Sequence, residues 1–321
     1  MPIPILDGHN DSLHHLYPYG EEQVRKFFVQ HTEGHLDLPR ARAGGLAGGF
    51  FAVFIPSHAP GSESPGVPPP MEVIITADGY EVPLAPPLDQ ASALAGSMAM
   101  TAGLFRLEAA AQGQAKVVRS AVELADCLRD GVFAMILHFE GAEAIDPQLD
   151  ALEVFYGAGL RSLGIVWSRP NHFGHGVPFR YPAGPDTGPG LTAAGRALVR
   201  ACNRLGILLD VSHLNEQGFW DLAAITDAPI VATHSAVHAI CPAARNLTDK
   251  QLDAIRASDG MVGVNFEVSV LRPDGYDEPT TPLTVLVQHI DYLVDRLGID
   301  RVGFGSDFDG ATLPNGIGDA A

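Results

Sequence analysis

The sequence predicts an α/β fold, a (β/α)8 TIM-like barrel, on three observations. Eight short apolar runs, many of them β-branched, occur at about 3–8, 48–55, 132–138, 161–167, 206–211, 229–233, 260–266 and 301–305. Helix-forming stretches separate them at 89–113, 191–205, 215–224, 248–257 and 284–297, the alternation that a parallel sheet requires. Side chains able to bind metal or move protons stand at the ends of the runs: His9, Asp11, Glu140, His213, His234 and Asp307. The carboxyl ends of barrel strands face one shared mouth, so residues scattered through the sequence converge there. Three histidines and three carboxylates in one mouth point to a metal-dependent hydrolase.

The length of 321 residues suits one barrel domain, residues 1–321. With 46% hydrophobic residues the chain can bury a large core, yet no apolar run reaches the roughly 20 residues of a membrane span. The amino terminus lacks the basic and apolar regions of a secretion signal, so a cytoplasmic location is expected. Cys127, Cys202 and Cys241 have no CxxC spacing, which argues against a disulfide framework or a thiolate zinc site. A formal charge of −18 repels nucleic acid and anionic membrane, and neither is expected as a partner.

The first run leads into His9-Asn10-Asp11. Residues two apart on an extended chain point to the same side, so both side chains reach one cation. The second run enters a segment at about 56–88 containing Pro60, Pro65, Pro68, Pro69, Pro70, Pro83, Pro86 and Pro87, which cannot sustain a helix. Within this insertion Glu72–Thr76 and Tyr80–Leu84 flank Ala77-Asp78-Gly79, a hairpin pattern. A lid, a dimer contact and an exposed decoration are all open readings of it.

The third run ends at His138-Phe139-Glu140-Gly141. A carboxylate such as Glu140 can bridge two cations about 3.5–4 Å apart; the rival reading is an ion pair with Arg161 or Arg169. His138 faces the same way and is read as support or barrel filling. The fifth and sixth runs close on His213 and His234, with Asp210 available to fix an imidazole tautomer. Thr192, Asn215 and Thr248 precede helical stretches as capping residues. After the eighth run, Asp307 lies in a glycine-rich turn and suits either turn chemistry or proton transfer, with Asp309 its rival. The remaining residues to 321 leave no room for the final barrel helix.

Six motifs carry a resemblance to a known family: Asp7-Gly8-His9-Asn10-Asp11, His138-Phe139-Glu140-Gly141, Asp210-Val211-Ser212-His213, Thr233-His234-Ser235, Arg245-Asn246-Leu247-Thr248-Asp249, and Gly303-Phe304-Gly305-Ser306-Asp307-Phe308-Asp309-Gly310. In this order, over residues 7–310, they resemble the membrane (renal) dipeptidase family of zinc peptidases. The resemblance implies two zinc ions and cleavage of dipeptides, including those with a C-terminal D residue, by a metal-bridging hydroxide. It makes His9 and Asp11 ligands of one zinc, His213 and His234 ligands of the other, and Glu140 the bridge. Arg245 would grip the substrate carboxylate, against a rival reading as a surface partner of Asp249, and Asp307 would serve as proton carrier and amine site. Homodimerisation is a family-level expectation.

Two positions depart from the family pattern. Trp167 stands where the family has a substrate-polarising His, and His172 or His175 is the expected replacement. Glu267 stands where many relatives have Tyr, a change expected to alter substrate preference. Two alternatives stay open: an amidohydrolase acting on a lactam, lactone or small N-acyl compound, and a catalytically silent binding barrel.

Overall fold

The computed structural model describes residues 3–57 and 72–321. Eight parallel strands close a barrel: β1 (Ile5–Asn10), β2 (Leu46–Val53), β3 (Phe133–Glu140), β4 (Leu160–Gly164), β5 (Leu208–Asp210), β6 (Val231–Ser235), β7 (Met261–Asn265) and β8 (Val302–Gly305). Each pairs with its sequence neighbour, and β8 returns to β1 through Asp7 and Phe304. All eight coincide with the apolar runs within a few residues. The longest pairing, β2 with β3 from Gly48–Ala134 to Val53–Phe139, includes the one barrel strand in which every residue is buried.

Helices cover the barrel where their apolar faces find it. Ala193–Leu205 begins at Thr192, whose hydroxyl accepts from Gly195 N at 3.0 Å, and Glu216–Ala223 begins at Asn215, which accepts from Gly218 N at 2.8 Å. A capping box of Thr248 and Gln251 opens Asp249–Ala257. These side chains satisfy amides that the first helical turn leaves without a partner. Helices Ala121–Asp130 and Asp150–Ala158, and an outer strand Ala115–Val117 beside β3, were not expected from the sequence.

Inside the barrel, glycines let three strands approach β6. A Cβ at Gly263 or Gly305 would lie 2.0 Å from the Thr233 carbonyl oxygen, and one at Gly8 would lie 2.4 Å from it. No side chain fits there.

The prolines at 60, 65, 68, 69 and 70 lie outside the described residues. Within the described part, Ile74–Ile75 pairs antiparallel with Tyr80–Val82 about the expected turn. A third strand, Phe179–Tyr181 from the loop after β4, joins this pair. The small sheet reaches over the mouth to the loop after β7, where Tyr181 donates its hydroxyl to Pro273 O at 2.5 Å. Residues 306–321 form no helix, and their last turn runs beside Leu38–Gly44, with Ala320 N bonded to His35 O at 3.0 Å.

Candidate active site

At the barrel mouth the two oxygens of Glu140 face different partners. Oε2 lies 3.7 Å from His9 Nε2, whereas Oε1 lies 2.9 Å from His213 Nε2 and 3.6 Å from His234 Nε2. Asp11 Oδ2 is 3.4 Å from His9 Nε2. Donor atoms of His9, Glu140 and His234 fall within 4.8 Å of one another, as do those of His9, Asp11 and Asp307. Donors placed tetrahedrally around zinc stand about 3.4 Å apart, so these separations suit a shared cation.

The donors leave their strands differently. His9, Glu140 and His234 lie within β1, β3 and β6, while His213 follows β5 by three residues. Asp11 has left the strand: it is the residue before the short helix Ser12–His15, with φ −102° and ψ 21°. The expectation that strand alternation alone aims Asp11 and His9 together is thus corrected. Main-chain bonds to the segment just after β8 make the bend, Asp11 N to Phe308 O at 2.8 Å and Asp307 N to His9 O at 3.0 Å.

Polar partners on the far side of the His213 and His234 imidazoles turn their Nε2 atoms inward. Thr233 Oγ1 donates to Asp210 Oδ2 at 2.6 Å and lies 2.9 Å from His234 Nδ1. Since that hydroxyl proton points at Asp210, Thr233 accepts from His234 Nδ1 and leaves Nε2 with its lone pair. Asp210 therefore fixes this tautomer through Thr233, its own oxygen being 3.8 Å from His234 Nδ1. Ser168 Oγ, 3.1 Å from His213 Nδ1, orients the other ring. His138 bonds Ser162 Oγ at 2.8 Å and lies edge-on to His9 at 5.4 Å, a supporting position.

Rival partners of Glu140 are engaged elsewhere. Arg169 donates to Glu143 Oε1 at 2.8 Å, and Arg161 donates to the carbonyls of Arg119, Tyr156 and Leu160. Burial pushes the Glu140 carboxyl well above its ordinary range, and Asp11 and Asp307 add to the effect. Burial also holds His213 and His234 well below theirs, so both rings are neutral donors. At His9 burial acts in the same direction, but Glu140, Asp11 and Asp307 outweigh it and carry the ring to about 10. The cluster thus demands positive charge, which a metal cation supplies.

Orphaned atoms make the same point. Both ring nitrogens of His9 and Asp11 Oδ1 are buried without a hydrogen-bond partner. Buried polar atoms left unpaired are costly, and ligation of His9 Nε2 and the Asp11 carboxylate to a metal removes that cost at those atoms. The residues present therefore fit a metal.

A cavity of about 570 Å³ opens above the cluster. One wall is apolar, with Phe54, Val82, Trp167 and Phe179. Trp167 packs on Phe54 at 5.0 Å and stands 6.0 Å from the His213 ring, so an indole forms this wall of the cavity. His172 and His175 are not among the cavity-lining residues, which corrects the expectation that either replaces the missing imidazole. The reason lies in their loop, which is drawn outward: Thr192 Oγ1 donates to His172 O at 2.7 Å and Gly195 packs against Phe173 O. Instead His14, which the sequence reading passed over, lines the cavity on the Asp11 side, 6.3 Å from Phe54. Its placement on the first turn after Asp11 was the available signal.

Arg245 lines the same cavity and is only 4% exposed. It donates to Ser235 Oγ at 3.0 Å and to His234 O at 2.9 Å, while Asp249 pairs with Arg296 at 3.2 Å. The surface pairing of Arg245 with Asp249 is thus absent. Asp307 accepts from Asn265 Nδ2 at 3.0 Å and adopts φ 58°, which directs its carboxylate to the cluster. Its rival Asp309 is tied to Ser12 Oγ at 2.7 Å and to His35 N at 2.5 Å. Burial first, then Asp307, pushes Glu267 up to about 7.

Comparison with known proteins adds independent findings. A family model described as membrane dipeptidase, peptidase family M19, matches residues 1–321. A solved metallopeptidase from Rhodobacter sphaeroides, liganded with a phosphinate mimic of the dipeptide L-Ala-D-Ala, superimposes with a TM-score of 0.90 at 50% identity, over 99% of this chain and 89% of that one. The dipeptidase verJ of Clonostachys rogersoniana is 25% identical over 97% of this chain and 73% of its own length. An uncharacterized protein in the PQQ-III 3' region of Acinetobacter calcoaceticus is 41% identical over 92% of this chain and 90% of its own.

Proposed function

The chain belongs to the membrane dipeptidase family of metallopeptidases, and from that premise we propose that it hydrolyses dipeptides with two zinc ions held by the cluster at the barrel mouth. Dipeptidase activity and a metal requirement follow from the family; the zinc identity, the count and the residue roles are our reading. His9 and Asp11 would hold one ion, His213 and His234 the other, and Glu140 both. The observation that carries this reading is the division of the Glu140 oxygens, one toward His9 and one toward the His213–His234 pair.

Bound zinc would supply an acidified water and stabilise negative charge on the substrate carbonyl oxygen. The chain's own residues do the rest. Thr233 and Ser168 keep His234 and His213 turned toward the ions through Nδ1. Arg245, buried and paired with no carboxylate among the described residues, takes the free carboxylate of the substrate through a planar fork that Lys lacks. Asp307 receives a proton from the attacking water and returns it to the leaving amine, and its carboxylate also faces the free ammonium group. Recognition at both ends restricts the substrate to two residues.

Support for dipeptides ending in a D residue comes from the L-Ala-D-Ala mimic bound by the Rhodobacter relative. A panel of LL and LD dipeptides, assayed with zinc and with a chelator and paired with metal analysis, tests the whole reading. Hydrolysis that the chelator abolishes and zinc restores, with about two ions per chain, is expected. No hydrolysis of any dipeptide with zinc supplied would sink it.

A further inference from the structure

Six carboxylates line the cavity, Asp11, Glu140, Glu267, Asp277, Asp307 and Asp309, against one guanidinium, Arg245. Four have tasks already described: Asp11 and Glu140 face the metal positions, Asp307 the reacting bond, and Asp309 is tied to Ser12 and His35. Glu267 and Asp277 are left, and neither has a cationic partner within ion-pair distance among the described residues. Glu267 accepts from Ser269 Oγ at 2.5 Å, and Asp277 accepts from Thr312 Oγ1 at 3.3 Å, both neutral donors.

Their placement gives the surplus charge a direction. Glu267 follows β7 by two residues and is half-buried, whereas Asp277 is exposed at the rim, so negative charge runs from the opening inward. The field of Arg245 acts on Glu267 without a bond between them. Aromatic rings accompany the carboxylates: Tyr80 of the small sheet and Tyr276 of the loop after β7 line the same end of the cavity. Carboxylates beside aromatic rings, of which Tyr276 is exposed and Tyr80 half-buried, suit an ammonium or guanidinium group, which gains both ionic and cation–π attraction.

Resting on the dipeptidase reading, we propose that Glu267, assisted by Asp277, is a subsite for a cationic side chain, and that the favoured dipeptides carry Lys or Arg as their C-terminal residue. With the substrate carboxylate on Arg245, the side chain of that same residue leaves the backbone next to Glu267. The carboxylate neutralises Arg245, so the incoming cation meets net negative charge. A protein of net charge −18 also concentrates cationic substrates at a cleft of its own sign.

The test compares kcat/KM of the zinc-loaded enzyme for Ala-Lys and Ala-Arg with that for Ala-norleucine, which has an uncharged chain of similar length, above neutral pH. A preference of about tenfold or more for the basic dipeptides, expressed mainly in KM, is expected. Glu267→Gln brings the ratio close to one, and Glu267→Lys turns the preference toward Ala-Glu. Should the Glu267 variants fail to fold, Asp277→Asn at the exposed rim lowers the same ratio by a smaller factor, and added salt weakens it in the wild type. A wild-type ratio near one, a ratio untouched by Glu267→Gln, or a basic preference confined to Lys-Ala and Arg-Ala overturns the proposal. Hydrolysis without basic preference removes only this inference, whereas no hydrolysis of any dipeptide removes the dipeptidase reading beneath it.

Discussion

Ser306 donates both its backbone N–H and its hydroxyl to the carboxylate of Asp7, at 2.8 and 2.9 Å, fastening the last barrel strand to the first. The hydroxyl also lies 3.1 Å from His9 O and accepts from Phe308 N at 3.1 Å. One buried serine thus sets the spacing between His9 and Asp307, which approach the cluster from these two strands. Ser306→Ala leaves the Phe308 amide without a partner and Asp7 Oδ2 with only the 3.4 Å bond from Asn10 Nδ2, and should cost about 1–3 kcal/mol of stability. Chemical denaturation measures this; an unchanged midpoint would show that the latch contributes nothing.

Asp307 lies close enough to His9 and Asp11 to raise the question of whether it is a ligand or a proton carrier. As a carrier, Asp307→Asn lowers kcat by about 10²–10⁴-fold while the protein retains its zinc. Metal analysis of the purified variant separates the roles, since loss of an ion would make Asp307 a ligand.

For Arg245, the fork geometry is the property under test. Arg245→Lys keeps the charge but loses the paired donors, and kcat/KM should fall about 10–100-fold, chiefly through KM. An N-acyl substrate lacking a free carboxylate would feel the substitution far less. Equal losses on both substrates would mean that Arg245 serves the barrel rather than the substrate.

His289 offers a pH test away from the metal cluster. Its Nδ1 accepts from Val237 N at 3.0 Å and its Nε2 donates to Leu271 O at 2.9 Å, a pattern only the neutral ring allows. Burial lowers its pKa from 6.5 to about 4. Below 6.5 the unfolded chain takes up the proton that the folded chain refuses, so this contribution to stability is complete above 6.5 and lost as pH falls toward 4. The loss reaches about 3 kcal/mol at the acid end. His289→Gln, which can accept and donate in the same place, should flatten the acid side of the stability profile relative to wild type; parallel profiles would refute the assignment.

Much of the site was legible because its signals are local. Short apolar runs mark buried strands wherever they occur, and a polar residue closing such a run is conspicuous, as at Glu140 and His234. Capping residues such as Thr192 and Asn215 likewise act within one helical turn. The hidden part depended on which distant group arrives first. Glu140 is free for a metal because Glu143 occupies Arg169, and His234 is oriented because Thr233 stands between it and Asp210.

The sequence by itself determined the eight-stranded barrel and the five side chains gathered at its mouth, since strand pattern and strand-end position are set by neighbouring residues. Only the tertiary structure decided that Asp11 bends out of its strand, that His172 and His175 stay outside the cavity while His14 lines it, and that Glu267 is left with surplus charge. Each of those outcomes depends on packing between segments far apart in the chain, where competition for partners and space fixes what a side chain can reach.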